Sequence, residues 1–490
     1  MKRTLLDNRH PDYTALSPDW LFWAQSYNGG AEYAKGNHLF KYTRETDKSY
    51  EERLKRADRN NFTRQVLDLI VQYLFKENPS RKKDKAGDAV ANFWENVDGK
   101  GTKIDDFMKL LATNVGIFGA HYVVVDKPQG KAITKAQQQA LGLNPYVYMV
   151  SPLDVLDVVF NGRSGEIEQI LIRETTRGEV DLRTAREGDS VKTVYRLWYK
   201  DGGIVKWTLY EKDEKGDLKT LEDGQITINK IPIVKVTRGN STYGGASVIG
   251  DIATLDRSVY NYNSCCDQII YDQTFSTLAL EFDGQMKEFF EDWGIILGTK
   301  SIIPYPKGGQ LPQFISPDAS QGEFILKRID QKVTQIYQVQ NLQDTQGATQ
   351  QGKPQQVQSG VAKGWDFEKL NAGLCEFGDV LEKGDEAIAA LVKLWDRDET
   401  PVEADLIDYP ESFDVKSLTD ELTEYNMLSS AVSSETYRKF LEKNLVKKAS
   451  PKLEQAEQKT INAEIDGSQD LELEAQKLAL KLQSKQPPKV

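Results

Sequence analysis

"IGDIATLDRSVYNYNSCCDQIIY", residues 249–271, is the stretch on which the fold turns. Ile252, Leu255, Val259, Tyr262, Cys266 and Ile269 recur at alternating intervals of three and four, which draws one narrow apolar seam along a helix. Behind the turn-rich "GNSTYGG" (239–245), this spacing predicts one long helix carrying the seam from Ile252 onward. Such a helix has about 30 residues and, at 1.5 Å per residue, is roughly 45 Å long. The average globular helix has about 11–12 residues. This one is a rod.

Two further helices follow the same logic. Ile325, Ile329, Val333, Ile336 and Val339 line one side of a helix predicted over 319–342. Phe367, Leu370, Leu374, Phe377, Leu381, Ile388, Leu391 and Trp395 keep a heptad spacing beyond residue 359, with Gly384 in the missing slot. Gly364, Gly373, Gly378 and Gly384 lie inside that third helix. Each costs about 1 kcal/mol relative to alanine, so close packing or a kink is expected there. Between the first two helices lies an insertion, 276–318, with an acidic-aromatic "GQMKEFFEDWG" (284–294) and a proline-rich second half. Between the second and third lies a glutamine-rich stretch. From Gln343 to Gly360 its only formal charges are Asp344 and Lys353, and Val357 is its only large apolar side chain. It cannot bury itself, and taken alone it reads as a flexible linker.

Toward the N-terminus, "TDKSYEERLKRADRNNFTRQVLDLIVQYLFKENP" (46–79) carries a helical apolar face in its second half and a stop at Asn78-Pro79. "IDDFMKLLATNVGIFG" (104–119) predicts another helix that feeds the β-branched strand "AHYVVVDKP" (120–128). Residues 145–240 read as β-rich, with Gly and Asp turns. Toward the C-terminus come a strand and turn at 402–414 and short amphipathic helices to about 485. The class is α+β.

At 490 residues more than one packed unit is expected. The mean hydropathy of −0.55 is polar, yet 10 % aromatic residues need burial, so disorder is excluded. No apolar run reaches the ~20 residues of a membrane helix, and no apolar core follows the basic start "MKRTLLDNRHPDY", so no signal peptide is expected. Cys265 and Cys266 are adjacent and Cys375 stands alone, which rules out a disulfide framework and points to a reducing cytoplasm. The net charge of −11 disfavours tight DNA binding, which needs phosphate-neutralising cations. The densest basic cluster, "SRKKDKAG" (80–87), reads as a solvated loop.

Catalytic constellations are missing. No GxxxxGK[ST], CxxC or HExxH occurs, and His10, His38 and His121 lie far apart. "YGGASVIG" (243–250) fails the Gly-x-Ser-x-Gly pattern around Ser241 and Ser247, and its glycines read as the approach to the long helix. His121 reads as a core or edge residue. No enzyme, cofactor or metal site is expected. The rival, a site assembled from scattered carboxylates, has no motif behind it.

Six separated stretches together resemble the portal proteins of long-tailed bacteriophages. They are "YEERLKRADRNNFTRQVLDLIVQYLFKENP", "GIFGAHYVVVDKP", "NPYVYMVSPLDVLDVVFNGRSGEIEQILIRE", "IPIVKVTRGNSTYGGASVIGDIATLDRSVYNYNSCCDQIIY", "QSGVAKGWDFEKLNAGL" and "YPESFDVKSLTDELTEYNMLSSAVSSETYRKFLEKN". They span about residues 40–465 in the family's order. The resemblance implies a portal-type fold with an α/β wing, long antiparallel stem helices, a small clip insertion, a kinked long helix and an α-helical crown. On this sequence that gives an N-terminal arm (1–45), wing (46–243), first stem helix (244–275), clip (276–318) and second stem helix (319–342). The tunnel loop (343–358), the long helix with a return strand to the wing (359–414), and crown and tail (415–490) follow.

The same resemblance implies a homo-oligomeric ring, a dodecamer, at the portal vertex of a virion, made in the host cytoplasm. Its implied partners are the terminase large subunit, a head–tail adaptor, the major capsid and scaffolding proteins, and double-stranded DNA in transit. The DNA-facing loop would present Thr349, Gln350, Gln351, Lys353, Gln355 and Gln356. Lys353 is alternatively a solvated lysine at a Pro turn. Glu288, Phe289, Glu291, Asp292 and Trp293 of the clip would meet the motor or adaptor, unless the aromatics pack between neighbouring clips. The rival within the same class is a non-channel virion protein of adaptor or scaffold type.

Overall fold

In the computed structural model the described residues are 5–43, 45–128, 137, 142–177, 191–212, 217–239, 243–274, 278–282, 302–306, 308, 319–340, 342, 360–398, 400–403, 405–410, 413, 422, 425–427, 434–449, 457 and 460–466. They belong to two compact units, Met1–Phe413 and Asp414–Val490.

The first unit is α+β. Helices α1 (Pro11–Asn28), α2 (Gly30–Lys35), α3 (Asp47–Arg56), α4 (Phe62–Leu74), α5 (Lys83–Glu95) and α6 (Ile104–Phe118) precede strand β2 (Ala120–Asp126), with the two-residue β1 (Ser80–Arg81) among them. The segment 46–79 divides where the apolar pattern lapses. Ala57 leaves helical geometry, and the Asn61 side chain then caps α4 by accepting from the Arg64 N–H at 2.9 Å. Helix α6 ends on Gly119 in the left-handed region, φ 77°. There a side chain would collide with the backbone of Gly245, and one on Gly245 with Gly119. The glycines of "YGGASVIG" therefore serve a close backbone crossing, ahead of the helix that starts at Gly250.

Strand β2 is central to an antiparallel sheet, between β3 (Tyr146–Val150) and β9 (Ile233–Thr237). All its residues but Asp126 are buried, which explains an apolar run without alternation. His121 is among them, and burial lowers its imidazole to about 3, so it is a neutral core residue. A second sheet is an antiparallel meander of β4 (Val155–Phe160), β5 (Ile167–Arg177), β6 (Val191–Asp201), β7 (Ile204–Lys212) and β8 (Leu218–Gln225). Its last strand is an edge, and Lys219, Glu222 and Asp223 on it are exposed.

The long helices follow: α7 (Gly250–Thr274), α8 (Ala319–Val339) and α9 (Gly360–Trp395). Strands β10 (Leu278–Phe282) and β11 (Ile302–Pro306) pair in parallel between α7 and α8. Strand β12 (Ile407–Asp408) returns to pair antiparallel with β1. Helix α9 meets β9 at Gly384, where a Cβ would come within 2.7 Å of Val236 Cγ2, and Gly378 lies against Phe413. Close packing is thus the role of these two glycines. Gly373 faces open space.

One expectation is overturned. "SRKKDKAG" is no solvated loop: Ser80 and Arg81 form β1, and α5 begins at Lys83. Arg81 is buried as a hub, donating to Asp385 on α9 at 2.6 and 3.1 Å and to Asp105 on α6. Burial is the largest single influence and would lower the Arg81 pKa, but Asp385, Tyr409 and Asp105 together outweigh it and the pKa is raised. Burial pushes the Asp385 carboxyl upward despite that partner.

In the second unit, α10 (Glu435–Ala449) bonds locally. Tyr425 donates to Glu442 at 2.6 Å, and Lys443 pairs with Asp466 at 2.7 Å.

Candidate oligomer interface

Helix α7 divides its surface three ways. Asp256, Tyr260 and Ser264, one turn apart, face the N-terminal helices. Asp256 accepts from the Arg59 guanidinium, from the Thr63 hydroxyl at 2.7 Å and from the Thr63 N–H at 3.2 Å. Burial raises its pKa, opposed by Arg59. Tyr260 meets Tyr33 edge to face at 5.5 Å. Ser264 accepts from Arg53, which also makes a bidentate pair with Glu45 at 2.7 and 2.8 Å. That pairing holds the Glu45 carboxyl below its usual range.

The second face, Arg257, Asn261 and Cys265, carries residues 38–42. Asn261 donates to the His38 carbonyl at 2.9 Å and accepts from the Phe40 N–H at 2.8 Å. The Tyr42 hydroxyl lies 2.8 Å from Cys265 Sγ, and Arg257 stacks on Phe22 and Phe40.

The third face is the seam that the sequence announced, with Ile252 and Val259 buried on it, and α8 packs against α7. Their register is fixed where Gln340 Nε2 donates to the Val248 carbonyl at 2.8 Å, with Leu342 buried just beyond. Ile325, Ile329 and Ile336 form the inward stripe of α8. Phe324 and Leu326 lie on its two flanks, about 100° to either side. They are 71 % and 56 % exposed. An isolated exposed leucine needs no explanation. Phe324 and Leu326 stand singly, on opposite flanks of the helix, and do not form one contiguous patch.

The residues named for the DNA-facing loop (Thr349, Gln350, Gln351, Lys353, Gln355, Gln356) and for the clip contact (Glu288, Phe289, Glu291, Asp292, Trp293) lie outside the described residues. The seam of α7 and most of that of α8 were legible in the sequence, but Val339, expected on the α8 seam, is 42 % exposed. Phe324 and Leu326 could have been found as apolar residues off the α8 stripe, but the anchoring of residues 38–42 on α7 had no sequence signal.

A cavity of about 500 Å³ beside α5 is walled by Asp88, Asn92, Asn96, Asp98, Asn144 and Asp396, without a nucleophile–base pair. Among the described residues no group of His, Cys, Asp and Glu could hold a metal ion, and no helix is long and apolar enough to cross a membrane.

No protein-family model and no curated protein matches the chain. The solved structures similar to it include two at 10 % sequence identity and a TM-score of 0.39. One is a chain from the neck of an empty gene transfer agent (GTA) particle computed with C6 symmetry, covering 78 % of this chain and 90 % of that one. The other is a chain from the virion of the native GTA particle, covering 84 % and 97 %. A likeness of that degree carries no argument about assembly or activity.

Proposed function

We propose that the chain is a portal-type structural subunit of a tailed-phage particle. Copies assemble into a ring at one capsid vertex, around the channel through which double-stranded DNA is packaged and released. The observation that carries this reading is the set of long helices α7, α8 and α9, with α8 packed on α7 and Phe324 and Leu326 left exposed on its opposite flanks. A copy that must touch two neighbours through two different surfaces is the building unit of a heterologous ring. Burying a phenylalanine or leucine side chain contributes about 1.5–3 kcal/mol, so repetition around a ring makes these flanks a sizeable source of assembly energy.

The charge distribution supports the channel. Many lysines facing the duplex would add phosphate contacts, each raising affinity by counterion release, and the DNA would stall. A stretch from Gln343 to Gly360 with two charges can hydrogen-bond transiently and release, and Lys353 would repeat as a sparse cationic belt. The ring would serve as a platform for the terminase large subunit, a head–tail adaptor and the capsid and scaffolding proteins. It would act without catalysis.

Electron microscopy of the purified full-length protein tests the reading. Rings with a central hole are expected. Uniform monomers at high concentration would overturn it, and closed assemblies without a hole would replace it with the adaptor or scaffold role. Packaging with Lys353→Ala and with residues 343–358 deleted tests the loop: unchanged packaging and genome retention in both would remove its role.

A further inference from the structure

We infer that Arg238 and Lys369 form an oxyanion site that takes one phosphate group, in a cavity between the end of β9, α9 and the residue that follows α8. The inference does not depend on the ring reading above.

The cavity measures about 60 Å³ and is lined by Arg238, Gln340, Lys369 and Gly373 over an apolar floor that includes Leu374 and Phe377. A water molecule needs about 10–15 Å³ of such space, so there is room for roughly four to six water-sized atoms. A phosphate group, with five heavy atoms, fills it. A carboxylate, with three, leaves part of it open.

Arg238 follows directly on β9, and its main chain is held on both sides. Its N–H donates to the Gly119 carbonyl at 2.8 Å, and its carbonyl accepts from the Ala246 N–H at 3.0 Å. The crossing of Gly119 and Gly245 therefore sets the point from which the side chain starts. The guanidinium lies 5.0 Å from the Phe377 ring centre and donates through Nη1 to the Ala246 carbonyl at 3.3 Å, a long bond. Its Nε is closed off from solvent and has no partner among the described residues. A buried donor left without an acceptor is costly, and an anion would remove that cost. Burial lowers the Arg238 pKa, opposed by the charge of Glu376. That carboxylate does not reach it as an ion pair.

Helix α9 supplies the second cation. Lys369, Gly373 and Phe377 follow at intervals of four and share one face of the helix. Lys369 is exposed at the rim of the cavity, so an ammonium and a guanidinium border the same space. Among the described residues neither makes an ion pair. Gly373 stands between Lys369 and Phe377, and a Cβ built on it would meet nothing within 4 Å. Packing therefore does not require a glycine there, although glycine weakens a helix interior. What its missing side chain does is keep the cavity open. A guanidinium fork beside a lysine point charge is the donor set that suits phosphate, and an apolar floor strengthens the attraction.

Isothermal titration calorimetry of the full-length protein with inorganic phosphate, at an ionic strength held constant with chloride, tests the site. Lys369→Gln removes the rim cation, and Gly373→Leu fills the cavity from a position with room for the side chain. Lys109→Gln, exposed on α6, is the control. Urea unfolding checks that each variant is folded. The expected result is saturable binding by wild type and Lys109→Gln, and binding roughly tenfold weaker by Lys369→Gln and by Gly373→Leu. A short DNA duplex is then added as competitor. Loss of the phosphate heat assigns the site to backbone phosphates of DNA, and an unchanged heat assigns it to the free ion; both uphold the inference. No saturable binding by wild type, or equal binding by all four proteins, would overturn it.

Discussion

His121 ties stability to pH, in a direction and amount that the fold dictates. It is the second residue of strand β2, within its buried run, and its Nδ1 finds no partner among the described residues. Burial lowers its pKa to about 3, against 6.5 for a free imidazole. As pH falls from 7.5, the unfolded chain takes up the proton first while the folded chain refuses it. The contribution is therefore complete above 6.5 and is lost progressively as pH falls toward the folded value. Between pH 7.5 and 5.0 the loss is about 1.5 pH units' worth at 1.36 kcal/mol each, or about 2 kcal/mol. His121→Leu removes the titration while keeping a buried apolar side chain of similar size. Urea unfolding of the full chain at the two pH values should give a wild-type loss about 2 kcal/mol larger than the variant's. His38, which burial also lowers, to about 4, is common to both proteins and cancels. Equal losses in the two proteins would refute the argument, because they would mean that His121 takes up its proton as readily folded as unfolded.

Further outcomes follow from other parts of the fold. Arg81→Met strands the buried Asp385 and should cost about 3–5 kcal/mol by denaturant unfolding, whereas Arg81→Met combined with Asp385→Leu should recover much of that loss. Gly384→Ala drives a methyl into Val236 and should cost about 1–3 kcal/mol, with partial rescue by Val236→Ala. If the loop meets DNA, Gln350→Lys with Gln356→Lys should slow DNA translocation in a packaging assay, increasingly so as salt is lowered. A rate that does not depend on salt would place these residues away from the duplex.

The long helices were legible because their apolar residues keep one period over about four to eight turns, and no short-range signal competes with it. Strand β2 was legible as a short run of valines between a glycine and a proline. Arg81 was not. In "SRKKDKAG" it is one cation among four, and only the return of residues 407–408 beside it, far along the chain, creates the site that buries it. The anchoring of residues 38–42 failed to show for the same reason: Asn261 reads as a polar residue on the dry side of nothing until the N-terminal segment is laid across it. Seams repeat, and repetition is visible in sequence. Single long-range polar pairings do not repeat.

The charged outer strand β8 bears on a different requirement. A subunit crowded against its own copies has two hazards, failing to join and joining by the wrong element. An unpaired strand can capture any extended neighbour through its main chain, whatever the side chains. Lys219, Glu222 and Asp223 make that capture unfavourable by placing charge where a sixth strand would lie. On that side of the meander a sixth strand is disfavoured, and in the proposed ring encounter between copies would be left to other elements.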